Sequence, residues 1–252
     1  MPSSAEANLP PTNEGYGTHE YWERRYAKEA DGTTFDWFLS PSYLLPLFEE
    51  LTSDIDPGSS AAASSSSSQR GGIDGSAITG DMGQAKGKGK GTRMLMLGCG
   101  NSALGEVLYD AGWTNIVNLD YSKIVIDQMK ERHTSRPLME WHEMDVLDLK
   151  YGEEEFDLVV DKGTMDAMLT TKGDPWNPSE KDVKACTREV TEALRVLKKR
   201  KGSKFIYFTF GQPHFRKRYM ANRPGWKLTH REIGPPEGFA YFLYVLEYVG
   251  DE

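Results

Sequence analysis

The chain has 252 residues, of which 38% are hydrophobic and 27% are charged, and this length allows one sizeable core, hence one domain, plus a disordered piece. A formal net charge of −8 and a pI near 5.3 argue against the broad basic surface that binds nucleic-acid phosphates, so we expect no stable nucleic-acid partner. The only cysteines are Cys99 and Cys186, which excludes a disulfide framework, supports no metal site and favours a reducing compartment.

The N-terminal part of the sequence is polar at first and then rich in aromatic residues. Residues 1–10 lack the apolar core of a signal peptide, and no stretch of the chain reaches membrane-spanning length, so we expect a cytoplasmic protein with no membrane partner. Residues 1–16 are predicted to be a disordered tail. Beyond them, helices are predicted through residues 21–26 and 43–51, and both should pack back onto the main domain.

A low-complexity segment follows these helices. Residues 57–91 are dominated by Ser, Gly, Ala and single Lys residues, which cannot bury a core. The part before this segment is too short to fold alone. We therefore expect a single domain over residues 17–252, with residues 57–91 as a flexible insertion.

A glycine turn follows the first apolar strand, which is predicted over residues 93–98. Gly98 and Gly100 lack a Cβ atom, so the backbone can turn sharply and approach a ligand closely. Ser102 fits the N-cap of the next helix, whose free amide groups would face that ligand. The second strand ends in Asp120, which can accept hydrogen bonds from two ribose hydroxyls. Turn and carboxylate together predict an adenosine site.

The spacing around this turn argues against two common nucleotide sites. A dinucleotide-binding turn needs a third glycine where this chain has Ala103. A triphosphate-binding loop needs Gly-Lys followed by Ser or Thr, but Gly105 is followed by Glu106 and Val107. S-adenosylmethionine carries no phosphate and needs no pyrophosphate pocket, so it is the cofactor that the turn favours.

The rest of the chain alternates apolar runs with amphipathic segments, which is typical of a parallel sheet covered by helices. We therefore expect a doubly wound α/β fold. Helices are predicted after Ser122 and from Ser179 to Lys198, and a final antiparallel hairpin should close the sheet. The strands are predicted at residues 93–98, 115–120, 139–145, 156–161 and 204–210, and the hairpin at residues 225–233 and 239–249.

Charged residues follow the third and fourth strands, at the edge where open parallel sheets bind ligands. Asp145 could accept a hydrogen bond from the adenine amino group while the Val146 amide faces the ring. A plain helix cap is the alternative for Asp145. Lys162 has either a cofactor or substrate role or lies on the surface. Asp161 and Asp166 are our candidates for orienting a target ammonium, on their position alone.

Short motifs occur along the chain in a definite order. They are Tyr21-Trp-Glu-Arg-Arg-Tyr26, Phe35-Asp-Trp-Phe38, Leu97-Gly-Cys-Gly-Asn-Ser102, Asp120-Tyr-Ser122, Asp145-Val146, Asp161-Lys-Gly-Thr164, Asp174-Pro-Trp176 and Pro213-His-Phe-Arg216. Together they resemble the methyltransferase-like family of protein lysine methyltransferases that act on translation elongation factor 1-alpha. The resemblance covers nearly the whole chain apart from the tail and the insertion, which is longer than the family's usual connection.

The resemblance implies a class I (seven-stranded, Rossmann-like) methyltransferase with an N-terminal helical lid and with S-adenosyl-L-methionine as its methyl donor. Aromatic rings in such a lid suit a cationic sulfonium, although simple packing is the alternative. The implied cofactor residues are Trp22, Tyr26 and Trp37 in the lid, Gly98, Cys99, Gly100 and Asn101 in the turn, Asp120 and Tyr121 at the ribose, Asp145 and Val146 at the adenine, and Lys162 in the pocket.

The implied reaction is methyl transfer to a lysine side chain of a protein partner, elongation factor 1-alpha. Citrate synthase methyltransferases share the same motifs, so citrate synthase or a small molecule is the alternative substrate. A non-catalytic subunit that keeps the fold is a third possibility. Such a subunit would be expected to lose the glycine turn or Asp120, and this chain retains both.

Overall fold

A computed structural model describes residues 9–29, 33–55 and 89–250. The predicted insertion therefore lies outside the described residues except for residues 89–91, which form a turn before the first strand. Within the described ranges, none of the helices combines the length and the apolar character needed to cross a membrane.

The described residues form one seven-stranded sheet. Its strands are β1 (Met94–Leu97), β2 (Ile116–Asp120), β3 (Glu140–Glu143), β4 (Leu158–Lys162), β5 (Lys204–Thr209), β6 (Trp226–Ile233) and β7 (Tyr241–Tyr248). They lie in the order β3-β2-β1-β4-β5-β7-β6. The first five strands are parallel, and β7 runs antiparallel to β5 and β6. The predicted parallel sheet closed by a hairpin is thereby confirmed.

The burial of each strand follows from its place in the sheet. Central parallel strands are covered on both faces and read as continuous apolar runs. β1 has the sequence Met-Leu-Met-Leu and is buried throughout. β3 lies at the edge, reads Glu-Trp-His-Glu and is partly exposed. It is shorter than the strand predicted at residues 139–145.

Helices cover both faces of the sheet. They are α1 (His19–Lys28), α2 (Pro41–Thr52), α3 (Leu104–Asp110), α4 (Lys123–Arg132), α5 (Thr164–Met168), α6 (Glu180–Val196) and α7 (Pro213–Met220). The predicted caps at Ser122 and Ser179 are confirmed, since their hydroxyls accept hydrogen bonds from Val125 N and Asp182 N. α3 begins later than predicted, with Ala103 at its N-cap. The short helices α5 and α7 had not been predicted.

The N-terminal segment packs onto the sheet as a lid. Tyr21, Trp22 and Tyr26 of α1 form one buried cluster with residues of α4. A large aromatic side chain buries on the order of 150–250 Å², which at about 25 cal/mol per Å² stabilises the contact by roughly 4–6 kcal/mol per ring. This apolar contact is therefore the main force that holds the lid closed.

The predicted disordered tail is wrong at its C-terminal end. Asn13–Gly17 forms a turn of 3-10 helix. The turn is ordered because the Tyr16 ring packs 5.3 Å from the Tyr21 ring and 5.6 Å from the Trp37 ring. The lid thus includes residues before position 17.

Candidate active site

A cavity of about 480 Å³ opens at the carboxyl ends of β1, β2 and β4. The strand order of the sheet reverses between β1 and β4, and ligands of open α/β sheets bind at this point. Its volume lies in the range of about 300–1,000 Å³ that small-molecule sites occupy. Every residue predicted for the cofactor lines it, namely Trp22, Tyr26, Trp37, Gly98, Cys99, Gly100, Asn101, Asp120, Tyr121, Asp145, Val146 and Lys162.

The glycine turn is held tightly between the lid and α5. Gly98 has a φ of +54° and Gly100 a φ of +50°. A Cβ atom at position 98 would lie 2.1 Å from Thr164 Oγ1, and one at position 100 would lie 2.7 Å from the Tyr26 hydroxyl. Thr164 cannot easily move away, because its hydroxyl donates a hydrogen bond of 3.0 Å to the Leu97 carbonyl. Both positions therefore require glycine.

Asp120 is arranged to accept two further hydrogen bonds. Its side chain lies at the cavity wall in a residue that is only 5% exposed. Oδ2 accepts a hydrogen bond of 3.0 Å from Gly100 N, and Oδ1 accepts one of 2.9 Å from Ser122 N. A carboxylate offers about four acceptor positions, so two remain for the vicinal hydroxyls of a ribose. This donor and acceptor arrangement fits the adenosine half of S-adenosylmethionine.

The affinity for the cofactor should depend on pH through Asp120. Burial raises the pKa of this carboxyl to about 6. Ribose hydroxyls donate to the ionised form, so binding should be full above pH 6 and weaken as the pH falls through that value, by about tenfold per pH unit below it. Calorimetric titration with S-adenosylhomocysteine between about pH 5 and pH 7 measures this change. Asp120→Asn should remove the pH dependence. If the affinity of this variant fell with pH as steeply as that of wild type, Asp120 would not be the titrating group.

Aromatic rings of the lid form the opposite wall of the cavity. The Trp22 and Tyr26 rings stack with their centroids 5.7 Å apart, and the Trp37 ring lies 6.3 Å from that of Trp22. The indole nitrogen of Trp22 donates a 2.7 Å hydrogen bond to the Tyr16 carbonyl, which fixes the ring. Ring faces attract cations, and the Arg25 guanidinium already lies over the Trp22 and Trp37 rings, 5.5 and 5.6 Å from their centroids. A contact between the three rings and the sulfonium stays a prediction.

Lys162 joins the lid to the sheet. Its Nζ lies 3.1 Å from Asp36 Oδ1 and donates a hydrogen bond of 3.2 Å to the Trp37 carbonyl. Burial lowers the pKa of Lys162, and the charge of Asp36 opposes this shift. Asp36 also accepts hydrogen bonds from the Ser102 hydroxyl and from Ala103 N. Lys162 therefore lines the cavity and at the same time pairs with Asp36 of the lid, a residue whose role the sequence does not indicate.

The remaining predicted cofactor residues differ in how firmly they are held. Asp145 is exposed, and its Oδ1 accepts a hydrogen bond of 2.8 Å from Leu147 N, as the capping alternative requires. Asn101 connects the turn to the lid, because its side-chain amide donates a hydrogen bond of 2.6 Å to Glu29 Oε2. Burial raises the pKa of the Cys99 thiol well above its usual value. Cys99 is therefore a neutral wall residue and not a nucleophile.

Asp161 lies away from the cavity. Successive side chains of a strand point to opposite faces of the sheet, so Lys162 reaches the cavity and Asp161 does not. The Asp161 carboxylate accepts hydrogen bonds from Thr164 N and Met165 N, at 2.7 and 3.0 Å, and caps α5. Burial, together with the charge of Asp166, raises its pKa to about 7. The structure therefore corrects the prediction that Asp161 orients a target ammonium.

Asp166 lies at a second cavity of about 620 Å³ beside the first. Its Oδ1 accepts hydrogen bonds of 2.7 Å from both Thr209 Oγ1 and Arg216 Nη2. Arg216 belongs to the Pro213-His-Phe-Arg216 motif, but its role had not been predicted. Of the two aspartates proposed from the sequence, Asp166 is the one that the structure places at a cavity wall.

Comparison with known proteins identifies the family. The model of the methyltransferase domain matches residues 88–217. EEF1A lysine methyltransferase 4 of Bos taurus is 32% identical over 98% of this chain and 81% of its own length. The Mus musculus protein of that name is 32% identical over 94% of this chain and 78% of its own length. The Mus musculus eEF1A lysine and N-terminal methyltransferase is 30% identical over 89% of this chain but only 26% of its own length.

These likenesses extend across the whole site. They cover the lid, the glycine turn and the ends of the strands, and they agree with the seven-stranded sheet and with the donor and acceptor arrangement at Asp120. The chain therefore belongs to the methyltransferase domain family and to the same family as EEF1A lysine methyltransferase 4, and it is an S-adenosylmethionine-dependent methyltransferase.

Proposed function

We propose that this enzyme methylates the ε-amine of a lysine in translation elongation factor 1-alpha. The observation that carries the proposal is the likeness to EEF1A lysine methyltransferase 4 over 98% of this chain. Elongation factor 1-alpha is the protein partner that we propose, with no stable nucleic-acid or membrane partner. We place the enzyme in the cytoplasm. We extend the methyltransferase domain, expected at residues 17–252, so that it begins with the Asn13–Gly17 turn.

We propose that the first cavity holds S-adenosylmethionine with its adenosine against β2 and β3. Asp120 would accept hydrogen bonds from both ribose hydroxyls, with Tyr121 beside the sugar. Val146 would face the adenine, and Asp145 would accept from its amino group through the carboxylate oxygen that Leu147 does not use. The turn around Gly98 would support the methionine part, with the lid rings against the sulfonium.

Catalysis then depends on placement and exclusion of water. The bound cofactor supplies a methyl group made electrophilic by the attached sulfonium. The residues of this chain align the acceptor with that methyl and keep water away from it, effects that supply most of the acceleration in such transfers. The lid would exclude water here, because its Trp22 and Tyr26 side chains line the cavity and are themselves almost fully buried.

A panel of acceptors tests the proposal and separates it from the alternatives. The purified enzyme is incubated with S-adenosylmethionine carrying a labelled methyl group and with recombinant elongation factor 1-alpha, with citrate synthase, or with no added protein. We expect label in elongation factor 1-alpha alone, at lysine. Label in citrate synthase alone, or turnover of small molecules without added protein, would show a different substrate.

A further inference from the structure

The second cavity opens directly beside the cofactor cavity. Tyr16, Trp22 and Trp37 line both, and so do Gly163 and Ala167. The last two have small or no side chains, so the bulk between the two spaces is least at these two residues, at the carboxyl end of β4, while the three aromatic side chains form other parts of the shared wall. A group bound in the second cavity can therefore approach a methyl group bound in the first, which is the arrangement that a methyl acceptor needs.

Asp166 carries an unused acceptor at this junction. Its side chain is only 7% exposed, and Oδ1 accepts hydrogen bonds from both Thr209 and Arg216. Oδ2 has no hydrogen-bond partner in the part of the chain that the structure describes. A buried carboxylate oxygen without a partner is costly, and native proteins rarely leave one unpaired. A donor from outside the chain, such as an N–H group, would satisfy it.

Arg216 determines which protonation state of an amine fits. Its guanidinium is 10% exposed, lies 2.7 Å from Asp166 and also donates a 3.1 Å hydrogen bond to the Tyr207 hydroxyl. Asp166 and Arg216 thus form a neutral pair. Such a pair can accept a hydrogen bond from an amine, but it stabilises the charged ammonium less than an unpaired carboxylate would. This favours the deprotonated form of the acceptor, which alone has a lone pair.

The mouth of the second cavity matches an aliphatic chain. Phe210 is 56% exposed, and its ring lies 5.6 Å from the Phe38 ring. Both line the cavity. Two rings at the mouth and a polar pair inside would accommodate the methylenes and the amine of a lysine in that order. The Arg216 guanidinium would disfavour an arginine, and Asp166 would disfavour an acidic side chain.

We propose that the second cavity binds the target lysine side chain and that Asp166 Oδ2 accepts a hydrogen bond from its ε-amine. The inference rests on the proposed function, that the acceptor is a protein lysine. The ammonium first gives a proton to water. The nitrogen lone pair then forms a bond to the methyl carbon as the carbon–sulfur bond breaks. The electron pair of the broken bond stays on sulfur. The products are a methylated ammonium and S-adenosylhomocysteine.

Asp166→Asn tests the proposal, because the amide keeps the shape of the carboxyl but has one acceptor instead of two. The probe is recombinant elongation factor 1-alpha at varied concentration. We expect kcat/KM to fall on the order of 100-fold, with an unchanged dissociation constant for S-adenosylmethionine. The melting temperature should fall in this variant and in the control alike, because each leaves an arginine without its counter-charge. Asp157→Asn is the matched control. Asp157 is also buried and paired with an arginine, but at the opposite end of β4, and its loss should leave the kinetics intact.

Phe210→Ala tests the mouth in a variant whose folding is not at risk, since the ring is largely exposed. We expect KM for elongation factor 1-alpha to rise about 5- to 10-fold with little change in kcat. If wild type methylates the factor while both Asp166→Asn and Phe210→Ala keep its kinetic constants, the lysine site is refuted and the proposed function stands.

A probe that does not depend on the protein substrate separates the two proposals. It is S-adenosylhomocysteine that carries an aminoethyl group on sulfur, so that its amine takes the place of the acceptor nitrogen beyond the transferred methyl. Wild type should bind it at least about tenfold more tightly than S-adenosylhomocysteine, and Asp166→Asn should lose this gain. If elongation factor 1-alpha is not methylated, the proposed function fails, and this comparison still decides the lysine site. Equal affinity of wild type for both compounds would refute it.

Discussion

Asp120→Ala is expected to weaken the binding of S-adenosylmethionine by at least about 100-fold. The variant would lose the two charge-assisted hydrogen bonds that we propose between Asp120 and the ribose. Each is worth about 1.5–3 kcal/mol, and about 1.4 kcal/mol corresponds to a factor of ten. The variant also leaves the amides of Gly100 and Ser122 without their acceptor. Isothermal titration with S-adenosylmethionine and with S-adenosylhomocysteine measures the loss.

Asp127→Ala is the matched control for this experiment. Asp127 lies on α4, is 62% exposed at its side chain and pairs with Lys123 one turn away. The Asp127→Ala substitution removes the same charge at a position outside the cavity, so the affinity for the cofactor should stay as in wild type. An Asp120→Ala variant that binds within about threefold of wild type would contradict the ribose assignment.

Gly98→Ala is expected to abolish cofactor binding and to destabilise the protein. The new Cβ would lie 2.1 Å from Thr164 Oγ1 and 3.0 Å from Thr164 Cβ, at a φ of +54°. The left-handed backbone costs about 1–2 kcal/mol, and the overlap costs about 1–3 kcal/mol more. At roughly 2–4 °C per kcal/mol for a domain of this size, the melting temperature should fall by roughly 4–20 °C. Thermal unfolding and cofactor titration together measure both effects.

Gly112→Ala separates the cost of the backbone angle from that of the overlap. Gly112 has a φ of +106°, but the nearest atom to its Cβ would be Lys90 Cδ at 3.6 Å, an ordinary contact. This variant should lose stability without losing cofactor affinity. If Gly98→Ala behaves in the same way as this control, the close approach of Thr164 to the turn is not needed for binding.

The glycine turn and Asp120 could be predicted because their signals are local in the sequence. A short apolar run, two glycines with one residue between them and a carboxylate at the end of the next strand follow one another within about one strand–helix–strand unit. The parallel sheet and its closing hairpin were equally visible from the periodicity of the apolar residues. The strand ends differ from the predicted ones by at most two residues, since periodicity does not fix where pairing stops.

Other parts of the site depend on contacts between distant residues, and periodicity does not show these. Asp36 gains its role only when Lys162, which lies in β4, reaches the lid. Arg216 lies on α7, which begins with proline and has no strong apolar stripe, and it meets Asp166 only in the folded protein. The face of β4 decides between Asp161 and its neighbour Lys162, and a position in the sequence alone does not give that face.

We propose that this enzyme methylates a lysine of elongation factor 1-alpha with S-adenosylmethionine. The decisive experiment uses cells that lack the enzyme. They are complemented with wild type or with Asp120→Ala, and the methylation of each lysine of the factor is measured by mass spectrometry. We expect one lysine to lose its methyl groups in the deletion strain, to regain them with wild type and to stay unmethylated with the variant. Unchanged methylation at every lysine of the factor in the deletion strain would contradict the claim.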